Sequence, residues 1–497
     1  MRTRIPLLII FVFLGIRLSA QSENLFLSRE YWRTNPSIED IKQKKAAGND
    51  ISQLNSNAFD PVVYAMLERA DNATIKYLIS QKGNDVNKMT HDGRTYIFWA
   101  AYKGNLEMVR YLLDEGARMD VLDTHGYTVM NFAASTGQVK TELYDLLLNN
   151  GAKIFDVDQN GASALLLSAP HANDFQLIDY FVSKGAEPPF LDSHGNGLFN
   201  YAAKGGDLDF LQKIIDRGFS YLNPNVHGGN AVMFAVKGKR GHRNGMKVYE
   251  FLEEKGLEMN VVGEKGRNPL HQIAMRDNDA QLVKFFLDRG VRADFTDEEG
   301  NTPFMLASGY NTLQIVSLLR HGVEDINHKN KKGQSALTLA IQRNDLKVCQ
   351  FLIENGADVT ILDVNGNSLA FYLLRSYSMK ASEVFDKKLE LLNQNGFKLS
   401  SSEGKGQTLY HLAAERNDLD LIKKLKAFEL NINAKNDDGL TPLHLAAMKA
   451  RDHTIMRYLL EQGADRSILT DFEESVYDLA AENEVLQKEK TDLSFLK

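Results

Sequence analysis

The chain has 497 residues, 43% of them apolar and 25% charged, and a formal net charge of −7. That balance belongs to a folded chain rather than a disordered one. The excess of acid argues against a general nucleic-acid binder, which needs a basic face for phosphates, and the single cysteine, Cys349, excludes an internal disulfide.

The first twenty residues stand apart. Arg2 and Arg4 precede an apolar run from Ile5 to Ile16, and Leu18, Ser19 and Ala20 follow it. A basic start, a short apolar stretch and small residues at the break describe a secretory leader over 1–20, cleaved after Ala20. A membrane span needs about 20 apolar residues, so no membrane insertion is expected after cleavage. Losing Arg2, Arg4 and Arg17 would move the net charge from −7 to −10. The expected location is periplasmic or secreted, and the expected state is a monomer.

Residues 21–55 read as an N-terminal cap. Within it, SIEDIKQKKAAGNDISQLN (37–55) carries one amphipathic helix closing at Gly48, and Tyr31 and Trp32 are expected to seal the end. From residue 56 the chain repeats itself. Marker glycines stand at 93, 126, 161, 195, 228, 266, 300, 333, 366, 406 and 439, separated by 33, 35, 34, 33, 38, 34, 33, 33, 40 and 33 residues. A second glycine slot (Gly116, Gly151, Gly185, Gly218, Gly256, Gly290, Gly322, Gly356, Gly396, Gly463) closes a helix in each unit. Between the two lie two short amphipathic segments, such as TPLHLAAMKA (441–450) and HTIMRYLLEQG (453–463). Thr441 and Pro442 form a helix start, and helices this short need a neighbouring copy to bury against. The array runs over 56–470, with residues 56–90 as a first unit lacking its marker. Residues 471–497 begin like a repeat (SVYDLAAENEV) and end charged, as a C-terminal capping repeat.

The period and the words TPLHLAA (441–447), NPLH (268–271), TPFMLA (302–307) and TLYHLAA (408–414) resemble the ankyrin repeat family. Degenerate copies such as TYIFWAA (95–101) and TVMNFAA (128–134) keep the pattern without its histidine. The resemblance implies an all-α solenoid of about twelve helix-turn-helix units joined by β-turns, with N- and C-terminal caps. It implies non-catalytic binding of a protein partner by the concave face, and a structural role for His271, His411 and His444.

No phosphate loop, zinc-protease helix or serpentine nucleophile elbow is present, and neither catalytic residue nor cofactor is expected. Cys349 and Trp99 fall in apolar helix slots and are read as core. His91, His125, His194 and His227 lie at or beside the marker glycines, on the turn tips. A metal across them is disfavoured, because repeats pack about 8–10 Å apart and zinc needs nitrogens about 2 Å away. They are read instead as partner contacts, with Arg94, Tyr102, Lys103, Tyr127, Lys204 and Lys237. The insertion KGKRGHRNGMK (237–247) adds Lys239, Arg240 and Arg243; its three glycines suggest a mobile basic loop that meets an acidic partner. A second insertion, around 375–389, is read as a helix extension. An inhibitor of an exported toxin or enzyme, and a metal-dependent protein using the histidine edge, stand as alternatives.

Overall fold

The computed structural model describes residues 24–378, 382–399 and 402–497. The leader 1–20 lies outside them. The chain divides into two compact units, Met1–Phe219 and Ser220–Lys497. Their described residues form helices, joined by turns with isolated bridges such as Val157–Ser163 and Leu191–Gly197. No helix among them is long and apolar enough to cross a membrane.

The first unit opens with short helices at Arg29–Arg33 and Ile38–Ala46. Trp32 is fully buried and its indole N–H donates to the Phe26 carbonyl at 2.8 Å; the Tyr31 hydroxyl donates to Asp40 at 2.7 Å. Five helix pairs follow, with inner helices Pro61–Leu67, Tyr96–Tyr102, Val129–Ser135, Ala164–Ser168 and Leu198–Ala203. The second unit has eight pairs. Their inner helices are Ala231–Lys237, Pro269–Arg276, Pro303–Tyr310, Ala336–Arg343, Leu369–Ser376, Leu409–Glu415, Pro442–Lys449 and Val476–Glu482.

Composition decides which helix lies inside. Tyr96 through Ala101 are all buried, so that helix is apolar all round. Its partner Leu106–Asp114 buries only Met108, Val109 and Leu112. Polar caps start the helices: Asp60, Asn105, Thr128, Thr302 and Asp345 each accept a first-turn N–H. Burying one such leucine is worth about 1.5–3 kcal/mol, and Leu112→Ala would cost about 2–5 kcal/mol.

The turns obey a rule that the glycine spacing does not reveal. In most repeats an Asp or Asn stands three residues before the marker and its side chain closes the turn; Thr90, Gly263 and Glu403 take that slot before Gly93, Gly266 and Gly406. Asp123 accepts the N–H groups of His125 and Tyr127, each at 2.9 Å, and Asp158, Asp192, Asp297 and Asp363 repeat this. The marker itself is left-handed, and a side chain at Gly161 would meet the Ser193 backbone N at 2.6 Å. The first repeat does own a marker. It is Ala58, at φ 57°, served by Asn55.

Successive turns are tied tip to tip. Thr124 donates to the Asp92 carbonyl, Ser193 to Asn160, and Lys331 to Glu299, each at 2.9 Å. The three TPLH-type histidines are buried. Their Nδ1 atoms accept the N–H of Asn268, Thr408 and Thr441, and the Nε2 atoms of His271 and His411 lie 3.2 and 2.9 Å from the carbonyls of Asn301 and Leu440 in the next turn. This is the structural role that the resemblance implied. Burial holds His271 down to about 4 from its ordinary 6.5.

A further set of side chains caps the inner helices from the following repeat. Lys103 donates to the Leu67 carbonyl, Gln138 to Tyr102, Asn311 to Ala274 and Asp277, Asn344 to Ser308 and Asn311, and Asn483 to Ala447. Each satisfies carbonyls that a helix end leaves open. The extension helix expected near 375–389 is Ser382–Gln394, the residues 379–381 before it being outside the described ones. Its Lys388 is buried and caps the Ile341 carbonyl at 2.8 Å. Cys349 beside it is buried, and burial raises its thiol to about 11.

Candidate functional site

The sequence-selected residues fall into two groups. In the first unit, His91, Arg94, Tyr102, Lys103, His125 and Tyr127 come together around Asp92 and Phe132. Asp92 Oδ2 lies 3.4 Å from the Nε2 atoms of both His91 and His125, and 3.1 Å from Arg94. His91 stacks on Phe59 at 4.3 Å between ring centroids, and Tyr102 stacks on Phe132 at 5.8 Å. Among the described residues, no three His, Cys, Asp or Glu side chains are placed to hold a metal ion.

Most of this cluster faces inward. Arg94, expected as a partner contact, is buried at 7% exposure. It pairs with fully buried Asp123 of the next repeat at 2.7 Å and lies over the Phe132 ring at 4.1 Å. The position after the marker feels the next repeat's turn aspartate, and Arg267 repeats the pattern with Asp297 at 3.1 Å. Arg94 therefore joins repeats and does not present its charge outward. Lys103 is committed to the Leu67 carbonyl at 2.8 Å, and its ammonium is held below its ordinary value by burial and then by Arg69. Tyr127 is raised, mainly by burial. His91, Tyr102 and Tyr127 keep part of their surface, and His125 is half exposed. Elsewhere in this unit, Lys204 sits over the Tyr201 ring at 4.7 Å, and the His194 backbone N–H belongs to the Asp192 turn.

In the second unit, His227 is exposed at a turn tip, and Lys237 ends its helix 3.5 Å from Glu264. The insertion after it is not a loose basic loop. Lys239 and His242 exchange backbone hydrogen bonds across a two-residue turn, and buried Asn244 ties the turn to the Ala235 carbonyl at 3.0 Å. Gly238 is left-handed because the chain reverses there; a side chain would meet the His242 carbonyl at 2.6 Å. The glycines thus shape a turn. Arg240 is exposed on it, and Arg243 is directed elsewhere.

Arg243 lines an open groove of about 410 Å³ with Arg276, Tyr310 and the capping pair Asn311 and Asn344. Arg276 and Tyr310 end successive inner helices, and Arg343, ending the next, lies over the Tyr310 ring at 5.0 Å. Arg375, one residue before the end of the next inner helix Leu369–Ser376, lies over Phe371 at 5.5 Å. All four arginines are exposed, and Tyr310 is 48% exposed. Two carboxylates share the groove, Asp277 and Asp345, each accepting one backbone N–H, from Asp279 and Val348. The sequence reading missed Arg276, Tyr310, Arg343 and Arg375. Their common signal is a basic or aromatic residue in the last turn of consecutive inner helices.

A family model described as "Ankyrin repeats (3 copies)" matches residues 62–158, 243–330, 270–363 and 378–469. These segments cover more than half of the chain, and the chain belongs to the ankyrin repeat family, whose repeats form protein–protein interaction domains. An ankyrin repeat protein of Acanthamoeba polyphaga mimivirus is 22% identical over 376 residues, 74% of this chain and 46% of the relative. Human transient receptor potential cation channel subfamily A member 1 is 23% identical over 429 residues, covering 78% and 35%. A Rickettsia felis ankyrin repeat protein is 24% identical over 324 residues, covering 64% and 80%. The chain thus spans less than half the length of the first two relatives.

Proposed function

We propose that the chain is a non-catalytic binding module that takes an acidic protein partner on the exposed inner-helix ends of its second unit. One observation carries this: Arg243, Arg276 and Arg343 surround Tyr310, and no ion pair occupies Arg243, Arg276 or Arg343 among the described residues. Tyr and Arg are the side chains that most often dominate protein interfaces, and a carboxylate suits the planar guanidinium fork. The aromatic cluster of the first unit offers only its outer edges, at His91, Tyr102, His125 and Tyr127. With residues 1–20 acting as a leader, the partner would be met outside the cytoplasm.

The test is capture of partners from envelope and culture fractions on the full chain. It is run beside Lys239→Gln/Arg240→Gln and Arg243→Gln/Arg276→Gln variants of unchanged helicity. Binding that weakens with salt and is lost in the Arg243/Arg276 variant is the expected result. A partner held equally by both variants at high salt would sink the acidic-partner reading.

A further inference from the structure

From the placement of the exposed arginines we infer that the occupant of this groove is an extended segment carrying two carboxylates about six residues apart with an apolar side chain midway between them. The inference rests on the proposed acidic partner and specifies its form.

The geometry supplies a ruler. Repeats 7 to 9 place one side chain each at the same register, the last residue of the inner helix: Arg276, Tyr310 and Arg343, with Arg243 lining the groove beside Arg276. Packed helices lie about 8–10 Å apart, so these groups recur at about that interval. An extended chain advances about 3.3 Å per residue, and three residues span about 10 Å. Arg276 and Arg343 are two such intervals apart, so a segment with acidic side chains about six residues apart meets both. Its middle position faces Tyr310, where an apolar contact replaces the ion pair.

Chemistry favours carboxylates over a phosphate polymer. Phosphates on one strand of a duplex advance about 3.4 Å along the helix axis and turn away round it, so their register does not match cations two repeats apart. The unmatched phosphates would face Asp277 and Asp345 in a chain of net charge −7. A helix end by itself attracts a cation, but that does not account for guanidinium groups laid over neighbouring rings. Arg343 lies over the Tyr310 ring at 5.0 Å, so a cation and an aromatic face are presented together, and a guanidinium can pair with a carboxylate through two hydrogen bonds.

The experiment uses the full chain and two labelled peptides of equal composition, read by fluorescence anisotropy. One is Gly-Ser-Glu-Gly-Ser-Leu-Gly-Ser-Glu-Gly-Ser, with its glutamates six residues apart about a leucine; the other places both glutamates side by side at one end. The spaced peptide should bind about tenfold tighter. Arg276→Gln with Arg343→Gln should erase that preference, while Arg292→Gln, paired with Asp294 outside the groove, should leave it intact. Equal affinity for both peptides would overturn the inference, as would full binding by the double variant. Tighter binding of an oligothymidylate of the same charge would replace the peptide with a nucleic acid. A natural partner that is captured but not displaced by the spaced peptide would overturn the spacing alone. Failure to capture any partner would count against the binding module itself.

Discussion

Both units carry basic residues at the ends of their inner helices, yet they use them differently. In the first unit Lys103 is itself the cap on the preceding helix, donating to Leu67, and Arg94 is drawn inward by Asp123. In the second unit Asn311 and Asn344 cap the helices ending in Arg276 and Tyr310, with two carbonyls each, while Arg416 further on caps Leu374 as Lys103 caps Leu67. Arg276 and Arg343 are then left facing water. The direction of a cation is set by whether a neutral neighbour has already satisfied the helix end. Counting lysines and arginines cannot reveal that.

The sharpest way to break this contrast is Asp123→Ala. It leaves Arg94 buried without its carboxylate, and denaturation of the first unit should move by about 3–5 kcal/mol. Asp297→Ala should cost less, because the Arg267 side chain is 26% exposed and can reach water. Equal shifts, read from urea melts with a probe in each unit, would show that burial is not the deciding difference.

Acid should separate the units next. Unfolded histidine takes up its proton near pH 6.5, and folded His271 only near 4. Between those values the unfolded chain holds more protons, so stability falls as pH falls, by on the order of 3 kcal/mol across the window. His411 and His444 are lowered by burial in the same direction. In the first unit the equivalent slots hold Phe98, Asn131, Leu166 and Asn200. Hydrogen exchange should therefore report loss of protection in the second unit as pH drops from 6.5 towards 4, reduced by His271→Asn. Equal loss in the first unit would contradict this.

Asn344→Ala probes the caps and should destabilise by about 1–3 kcal/mol through unsatisfied carbonyls. Lys103→Ala, which frees a single carbonyl, should lie at the low end of that range. Smallest of all are the arm pairs Arg118–Asp120 and Arg292–Asp294, in equivalent positions of the two units. Neutralising either arginine should leave stability nearly unchanged, because water screens both exposed pairs, and a difference between them would mark an unseen role.

The fold was legible because a period of about 33 residues is written in glycines, and Trp99 and Cys349 sit where periodicity places core. The turn rule was hidden because Asp and Asn alternate at its key position, and Ala58 serves as a marker without being glycine. Of the candidate site, Arg243 was found because it lies in an insertion. Arg276 and Arg343 are 67 residues apart and look like ordinary helix ends; only stacking of repeats 7 to 9 places them around Tyr310. Arg94 was misread because its partner belongs to the next repeat, and residues flanking a marker glycine look equally exposed in a linear string.

The helix caps run one way, from each repeat back to the one before it. A repeat emerging from the ribosome therefore has its final carbonyls bare until the next 33 or so residues have followed. Synthesis from the N-terminus delivers every acceptor before its donor, so the array is finished in the order it is made, each copy locking its predecessor. Truncating the chain from its C-terminus would strip donors and strand buried carbonyls. Truncating it from its N-terminus would instead free lysine, glutamine, asparagine and arginine side chains, and either cut would also bare the apolar face of the adjoining repeat.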